Sequence, residues 1–358
     1  MSIRFVVALA LILPLTACAN FGYYAQAFNG QMDLIGKTRP IDDLLADSET
    51  DAPLREKLAT VLEVRDYASR ELGLPNNDSY RAYADVGRPY VLWNVFATPE
   101  FSLKPQEWCF VITGCVSYRG YFSQKDAEAF AATLRAQGHD AYVGGVSAYS
   151  TLGWFRDPVL NTIIDRPAVD IAGLMFHELA HQRLYVRGDT TFSESFAMAV
   201  ELEGVRRWLK TRAQPEEYER YEARMQRRDQ FVALVLKHRD RLDSLYQSNL
   251  GVAEKRAGKT KIFAEMREDY QRLKAQWGGQ GYYDSWFAQD LNNAHLVSLG
   301  TYHRYVPAFQ ALLARAQGDL NAFYHTVEEL GRLPEIERTA AISTLLPTAT
   351  VLGTPVTP

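Results

Sequence analysis

The stretch FHELAHQRLYVRGDTTFSESFAMAVELEG, residues 176–204, decides how this chain folds around its chemistry. On an α-helix, side chains four residues apart share a face, so His177 and His181 present two imidazoles to one point. Glu178 follows one step round the helix, close enough to hold a metal-bound water without being a ligand. This H-E-x-x-H pattern is the arrangement of zinc hydrolases, in which the Glu takes a proton from the water. The pattern therefore predicts a zinc site on a helix.

A third protein ligand is needed, because zinc in such sites has three protein ligands and one open position. Glu194 opens an apolar segment downstream, whereas Asp189 stands beside Gly188 in a predicted turn, so we predict Glu194 as the ligand. Glu201 lies two helical turns after Glu194 and can face the same helix. A metal-bound His usually donates its second ring nitrogen to an outer partner, a role that Glu201 can take. The alternative for Glu201 is a surface carboxylate.

The predicted metal helix is apolar almost all round its axis, and such a helix must be buried. Buried His and Glu side chains need partners, because an unpaired buried polar group is costly. A metal and a downstream carboxylate satisfy them together. Asp170, after Pro167, is the predicted N-cap of this helix. The apolar residues are Ile171, Leu174, Met175, Phe176, Leu179 and Ala180.

The composition is that of an ordinary globular protein. The chain has 358 residues, of which 47% are hydrophobic and 23% charged, enough for a large core and two lobes around a cleft. The net charge is -4 and no basic tract stands out, so we do not expect a nucleic-acid partner.

The chain changes character along its length. Short segments rich in aromatic and β-branched residues indicate strands, and a helix with Ser123 as N-cap and Gly138 as its stop follows them. After the metal region, apolar residues recur at helical spacing among interleaved acidic and basic residues. We therefore predict a helical N-terminal segment (18–80), a sheet and metal-helix region (81–205), a helical C-terminal lobe (206–345) and a mobile Pro/Thr-rich tail (346–358).

The N-terminus reads as an export signal. Arg4 precedes an apolar run, Phe5–Leu13, that is too short to span a bilayer as a permanent helix. Leu-Thr-Ala-Cys then looks like the bacterial lipobox, which predicts removal of residues 1–17 and lipid attachment to Cys18. Ala19 favours the outer membrane, with the chain facing the periplasm. The alternative is an ordinary secretory signal in which Cys18 is incidental.

Two further cysteines, Cys109 and Cys115, stand on either side of Gly114. An exported chain lives in an oxidising compartment, so we predict a disulfide between them. The alternative, a two-cysteine metal site, lacks further ligands nearby.

The core of the opening stretch resembles a known family. HELAHQ followed by SESFAMAVE is similar to the HELAHQ and NEGFASYVE segments of gluzincin peptidases of the aminopeptidase N type. Residue by residue, this resemblance implies zinc ligation by His177, His181 and Glu194, with Glu178 as general base. Two departures from aminopeptidase N limit what the resemblance implies about specificity. The spacing from His181 to Glu194 is shorter, and the G-x-M-E-N segment that binds the substrate amine in that family is missing.

Most of the mature chain resembles a second family. YRAYADVGRPYVLWNVFATPEFSL, WCFVITGCVSYRGYF and YSTLGWFRDPVL are similar to an uncharacterised proteobacterial lipoprotein family of predicted aminopeptidases. In zincin metallopeptidases the strand before the active helix is a sheet edge on which substrate lies, which implies that Ala148, Tyr149 and Ser150 bind the peptide. The alternative is an internal strand with a turn at Gly153.

Gluzincins also offer a Tyr or His to the oxyanion that forms when water attacks the carbonyl. The segment NNAHLVSLGTYHRYVPAF contains His295, Tyr302, His303 and Tyr305, and we predict Tyr302 for this role. The alternative is a core Tyr whose hydroxyl has a local partner.

These expectations combine into an α+β protein: a zincin-like metallopeptidase domain with a small mixed sheet and a mainly α-helical second lobe. The expected function is that of a zinc-dependent peptidase, an aminopeptidase by resemblance, acting on peptides and bound to the membrane through its lipid anchor. A zinc endopeptidase of the envelope and a non-catalytic envelope-binding lipoprotein are the alternatives. The sequence leaves the oligomeric state open.

Overall fold

The computed structural model describes residues 22–110, 114–148, 151, 155–212 and 215–346, with all of their side chains except those of Thr301 and Tyr302. The helices are α1 (22–36), α2 (Ile41–Ala46), α3 (Ala52–Arg70), α4 (Gln124–Ala136), α5 (Asn161–Ile164), α6 (Ala168–Arg183), α7 (Thr190–Thr211), α8 (Pro215–Gln247), α9 (Val252–Gln276), α10 (Asp284–Phe287), α11 (Asn293–His303), α12 (Val306–Arg315), α13 (Leu320–Arg332) and α14 (Glu335–Ser343). The strands are β1 (Thr38–Pro40), β2 (Ala82–Ala84), β3 (Leu92–Pro99), β4 (Trp108–Phe110), β5 (Gly114–Val116), β6 (Arg119–Tyr121), β7 (His139–Val146) and β8 (Val159–Leu160).

The fold class is α+β, mostly helical with small sheets, as the sequence predicts. Strand β2 pairs antiparallel with β1 and parallel with β8, so this sheet is mixed. Strand β1 lies inside the stretch 18–80 that we expected to be helical. None of the helices in the described part of the chain is long and apolar enough to cross a membrane. The signal segment 1–17, Cys18, Tyr149 and Ser150 lie outside the described residues, so what the sequence predicts for them stays a prediction.

The second sheet has the order β6-β3-β7, and both of its pairings are antiparallel. Trp93, Val95 and Ala97 of β3 share a buried cluster with Ala127 and Ala131 of α4, so α4 covers one face of this sheet. Side chains alternate along a strand, so the residues between them point away from α4.

The ends of α4 follow the sequence prediction. The Ser123 hydroxyl accepts a hydrogen bond from the Asp126 N–H and caps the helix. After Ala136 the chain turns at Gly138 with φ +83°, a conformation that glycine adopts without strain. Both predicted helix signals are confirmed.

Strands β4 and β5 form a hairpin next to the second sheet. Cys109 lies opposite Cys115 in this pairing, and a disulfide joins them. Gly114 lies against the backbone of Gly188, where a Cβ atom would come within 3.1 Å of the Gly188 nitrogen. The hairpin therefore packs on the loop that connects α6 to α7.

Helices α6 and α7 pack together in the largest buried cluster, which also includes residues of α3, α12 and α13. Glycines let these helices approach: a Cβ atom at Gly204 would lie 2.8 Å from the Phe176 ring, and one at Gly173 would lie 3.2 Å from Glu201 Oε1. Helix α7 continues past the predicted domain boundary at residue 205, because Trp208 and Leu209 extend its buried face.

The predicted N-cap of α6 is wrong. The helix begins at Ala168, and Pro167 occupies the capping position. Proline fits a helix start because its φ angle is already close to helical and its missing N–H is not needed there. Asp170 lies in the first turn instead, where its carboxylate binds Arg224 at 2.6 Å.

Helices α8, α9 and α10 share a second buried cluster with α11, to which α8 contributes Phe231 and Val235 and α9 contributes Met266 and Tyr270. Helices α12 and α13 pack on the metal helices instead. The expected C-terminal lobe thus contributes to two hydrophobic clusters.

Candidate active site

The two helices of the opening stretch bring three potential metal ligands together. His177 and His181 point from α6 toward Glu194 of α7, and their ligand atoms all lie within 4.8 Å of one another. One carboxylate oxygen of Glu194 is 3.3 Å from Nε2 of each histidine. All three side chains are buried. Two neutral nitrogen donors and one charged oxygen donor are a suitable set for a divalent metal ion.

The position of Glu194 depends on where α7 begins. The Asp189 carboxylate accepts a hydrogen bond from the Phe192 N–H and caps the helix. Arg338 of α14 donates to the other oxygen of Asp189 at 2.8 Å. The Ser193 hydroxyl accepts from the Val186 N–H and so ties the loop to the first turn of α7. Asp189 therefore fixes the helix start and is not a ligand itself.

The electrostatics of the site agree with a cation between these groups. Burial alone would raise the pKa of Glu194, but the charges and hydrogen bonds of His181 and His177 outweigh it and lower the pKa to about 2. Burial alone would lower the pKa of His177, but hydrogen bonds to Glu194 and Glu201 raise it well above the usual value. The site thus favours an ionised carboxylate and a positive partner, and a metal ion can supply that positive charge.

Glu201 lies where the sequence predicts an outer partner. Its Oε2 is 3.1 Å from Nδ1 of His177, the nitrogen that faces away from Glu194. A carboxylate in this place fixes the ring orientation and leaves Nε2 free to bind a metal. His181 lacks such a partner: its Nδ1 is buried and makes no hydrogen bond within the described part of the chain.

Glu178 is buried beside the ligands and lines the same cavity. Burial raises its pKa, and the neighbouring His177 and His181 oppose this effect. A carboxylate with a raised pKa is a stronger base, which suits a group that must take a proton and later give it back.

The site opens into a cavity of about 760 Å³. Residues of α1, of the second sheet and of the metal helices line it, so the first described helix forms part of its wall. Tyr23 of α1 is held there by the Arg119 guanidinium, 4.1 Å from the ring centre. A cavity of this size can hold several residues of a peptide.

Of the three predicted substrate residues, Ala148 lies within the described part of the chain, and Tyr149 and Ser150 lie outside it. Ala148 lines the cavity, although β7 already ends at Val146. The Ser147 carbonyl, between them, accepts a hydrogen bond from Thr162. The described part of the expected edge is therefore a cavity wall and not a strand.

The role predicted for Tyr302 stays a prediction, because its side chain lies outside the described ones. Two of its alternatives have structural contacts instead. The His295 ring lies 4.1 Å from the Tyr142 ring, and the Tyr305 N–H donates to the Ser195 hydroxyl. His303 is half-buried near Glu201, and the partial loss of solvent lowers its pKa to about 4.

Among the described lining residues are four tyrosines that the sequence analysis missed, and two of them, Tyr118 and Tyr185, lie near the charge of Glu194. Burial and the nearby charge of Glu194 raise the pKa of Tyr185 to about 12 and also raise that of Tyr118 well above its usual value. The Tyr185 ring centre is 6.1 Å from that of His181. Both hydroxyls therefore stay protonated and can donate a hydrogen bond. The position of Tyr185 just after the metal helix is a usable sequence signal, whereas Tyr118 has none.

Comparison with known proteins places the chain in a class. Residues 22–342 match the model of a protein family described as "Putative aminopeptidase". The chain therefore belongs to this family, whose description points to a peptidase. Neither the curated proteins nor the solved structures contain a match. The predicted resemblance to aminopeptidases is confirmed to this extent, and its lipoprotein and aminopeptidase N aspects stay predictions.

The contact between Glu201 and His177 predicts a measurable effect on metal affinity. Replacing Glu201 with Ala should weaken metal binding about 10- to 100-fold, because the His177 ring loses its orienting partner. Competition with a chelating dye measures the affinity. Glu203→Ala is the matched control on the same helix, because that carboxylate binds Arg207 and not a histidine. Equal affinities of the two variants would contradict the role of Glu201.

Proposed function

We propose that this protein is a zinc-dependent aminopeptidase with a zincin-like metallopeptidase domain. The observation that carries the proposal is the buried group of His177, His181 and Glu194, with Glu178 beside it, in a cavity that can hold a peptide. Family membership supports the reaction class. Imidazole ligands favour zinc over magnesium or calcium, and three protein ligands leave one position for water.

Each residue of the site has a role in this proposal. His177, His181 and Glu194 would hold the zinc, and Glu201 keeps the His177 ring in place. The zinc, when bound, supplies Lewis acidity at the water and at the substrate carbonyl. Glu178 takes a proton from the attacking water and returns it to the leaving amine. Its raised pKa suits both steps.

The oxyanion that forms during the attack needs a hydrogen-bond donor. Tyr118 and Tyr185 fit this need, because their raised pKa values keep both hydroxyls protonated near Glu194. They join Tyr302 as candidates for this role.

The general-base role predicts the effect of a conservative change. Glu178→Gln keeps the shape of the side chain but cannot accept the proton, so kcat should fall by at least about 100-fold while one zinc per chain stays bound. Release of the N-terminal residue from short peptides measures kcat, and elemental analysis measures zinc. Glu203→Gln is the control for a carboxylate on α7 outside the cavity. A Glu178→Gln variant as active as wild type would refute the mechanism, and a zinc-loaded wild type without any peptidase activity would favour a non-catalytic binding protein.

The same assay separates an aminopeptidase from an endopeptidase. An aminopeptidase needs the free amine, so N-acetylated peptides should resist cleavage. Internal cleavage of acetylated peptides at an undiminished rate would favour the endopeptidase alternative.

The proposed oxyanion donors predict a loss that affects the chemical step. If Tyr118 or Tyr185 donates to the oxyanion, its replacement by Phe should lower kcat about 100-fold with unchanged zinc content. Tyr121→Phe is the matched control. Tyr121 lies on β6, three residues after Tyr118, and packs in the buried cluster between the second sheet and α4. If both cavity variants keep full activity, neither is the donor, and Tyr302→Phe becomes the decisive variant.

We also propose that the chain is lipid-anchored in the bacterial envelope, on the periplasmic face of the outer membrane. The support is the lipobox that ends at Cys18 and a row of exposed apolar side chains on α1, close after it. An apolar helix face beside a lipid anchor suits a membrane surface. The exposed residues are Tyr24, Phe28, Met32 and Ile35.

Lipidation predicts a clear outcome for Cys18→Ser. This variant should incorporate no labelled palmitate in cells and should leave the membrane fraction, because the thiol that carries the lipid is gone. Cys109→Ser is the control for loss of another cysteine, and it should keep its label. Palmitate labelling of the Cys18→Ser protein would contradict the anchor.

A further inference from the structure

Asn94 lies in the middle of β3, the central strand of the second sheet. Its neighbours Trp93 and Val95 pack under α4, so Asn94 points to the opposite face. Both Asn94 and Leu92 line the active-site cavity. A polar side chain thus stands in the sheet wall of the cavity.

Glycines flank Asn94 on both neighbouring strands. It pairs with Gly120 of β6 and with Gly144 of β7. A Cβ atom at Gly120 would lie 3.2 Å from Asn94 Oδ1, closer than side chains usually approach. Because Gly120 has no side chain, the Asn94 amide can lie against β6, whereas on the β7 side the Tyr142 ring covers Gly144.

The amide of Asn94 makes no hydrogen bond to the residues that the structure describes. The residue is 6% exposed, and its Oδ1 is closed off from solvent without a hydrogen bond among the described residues. The amide nitrogen, unlike Oδ1, is not fully enclosed, so it is the end of the amide that a group in the cavity can reach. A mostly buried N–H without a partner is unfavourable, so an acceptor bound in the cavity would satisfy it.

The charges around the cavity indicate what that group is. Among the described lining residues, the carboxylates are Glu178, Glu194 and Glu201, all of which belong to the metal site. The amide of Asn94, on β3, is a neutral donor that does not belong to that site. A neutral N–H donor matches a main-chain carbonyl oxygen of a peptide.

We propose that Asn94 forms a carbonyl-binding subsite, in which its amide N–H donates to a main-chain carbonyl oxygen of the bound peptide. This inference rests on the proposed peptidase function. The subsite holds the backbone and reads no side chain, so it positions many peptide sequences equally. Hydrolysis itself remains with Glu178 and the metal ligands.

Two variants of similar shape test the subsite. Asn94→Leu removes the donor, and Asn94→Asp replaces it with a charge that repels a carbonyl oxygen. The probe is a fluorescent tetrapeptide with a free amine, titrated into zinc-loaded protein that carries Glu178→Gln, so that binding is measured without turnover. Asn94→Leu should raise Kd about 10-fold, and Asn94→Asp should raise it further. In the active enzyme, the same changes should raise KM more than they lower kcat.

Thr98→Val is the matched control. Thr98 lies on the same strand and the same face, is 0% exposed and also has a hydroxyl without a partner within the described chain, but it does not line the cavity. This variant should leave Kd unchanged. Zinc content and thermal unfolding are measured for each variant, and if Asn94→Leu does not fold, the isosteric Asn94→Asp still decides.

The outcomes separate the possible failures. Tighter binding by Asn94→Asp would mean that position 94 accepts from the substrate ammonium, which overturns the carbonyl subsite. Unchanged binding by both Asn94 variants, or an equal loss in Thr98→Val, would overturn it as well. Absence of hydrolysis by the wild-type protein would instead refute the proposed peptidase, whatever the effect of Asn94 on peptide binding.

Discussion

The structure depends on one contact, the carboxylate of Glu194 between the imidazoles of His177 and His181. Three buried polar groups at this distance are stable only with compensating charge, and α6 must lie close to α7 to bring them together. Gly173 and Gly204 permit that approach. Packing alone would place any two apolar helices side by side, whereas this contact also fixes how each helix is rotated about its axis.

Much of the surrounding structure holds those two helices at their ends. Gln182, in the last turn of α6, accepts a hydrogen bond from the Asn77 amide at 2.7 Å. Arg65, fully buried in α3, donates to the carbonyls of Pro75, Asn77 and Ser79 and so orders the segment that contacts Gln182. At the other helix, Arg338 fixes the Asp189 cap. The metal site is therefore supported by elements far apart in the sequence, and their loss would loosen it without touching a ligand.

The sequence predicts the parts of the site that follow from helical periodicity. His177 and His181 share a face by their spacing, and Glu201 returns to the face of Glu194 after two turns. Local signals also predict the cap at Ser123, whereas the cap at Asp170 fails because Pro167 already fixes the helix start. Asn94 and Tyr118 could not be found in this way. Their place in the cavity depends on strand register, and β3 pairs with β7, which follows it in the sequence only after β4, β5, β6 and α4.

The distribution of charge in the cavity has a consequence for specificity. If the enzyme recognises a free amine, the ammonium group can find a carboxylate among the described lining residues only at the metal site itself. Glu178 and Glu201 are the two outside the candidate ligand set, and Glu201 already contacts His177 through one oxygen. Neighbouring carboxylates would then bind the N-terminal amine of the substrate and activate the water. A neutral donor at Asn94 is compatible with amine recognition at those carboxylates, because it holds the peptide backbone and does not compete with them for the amine.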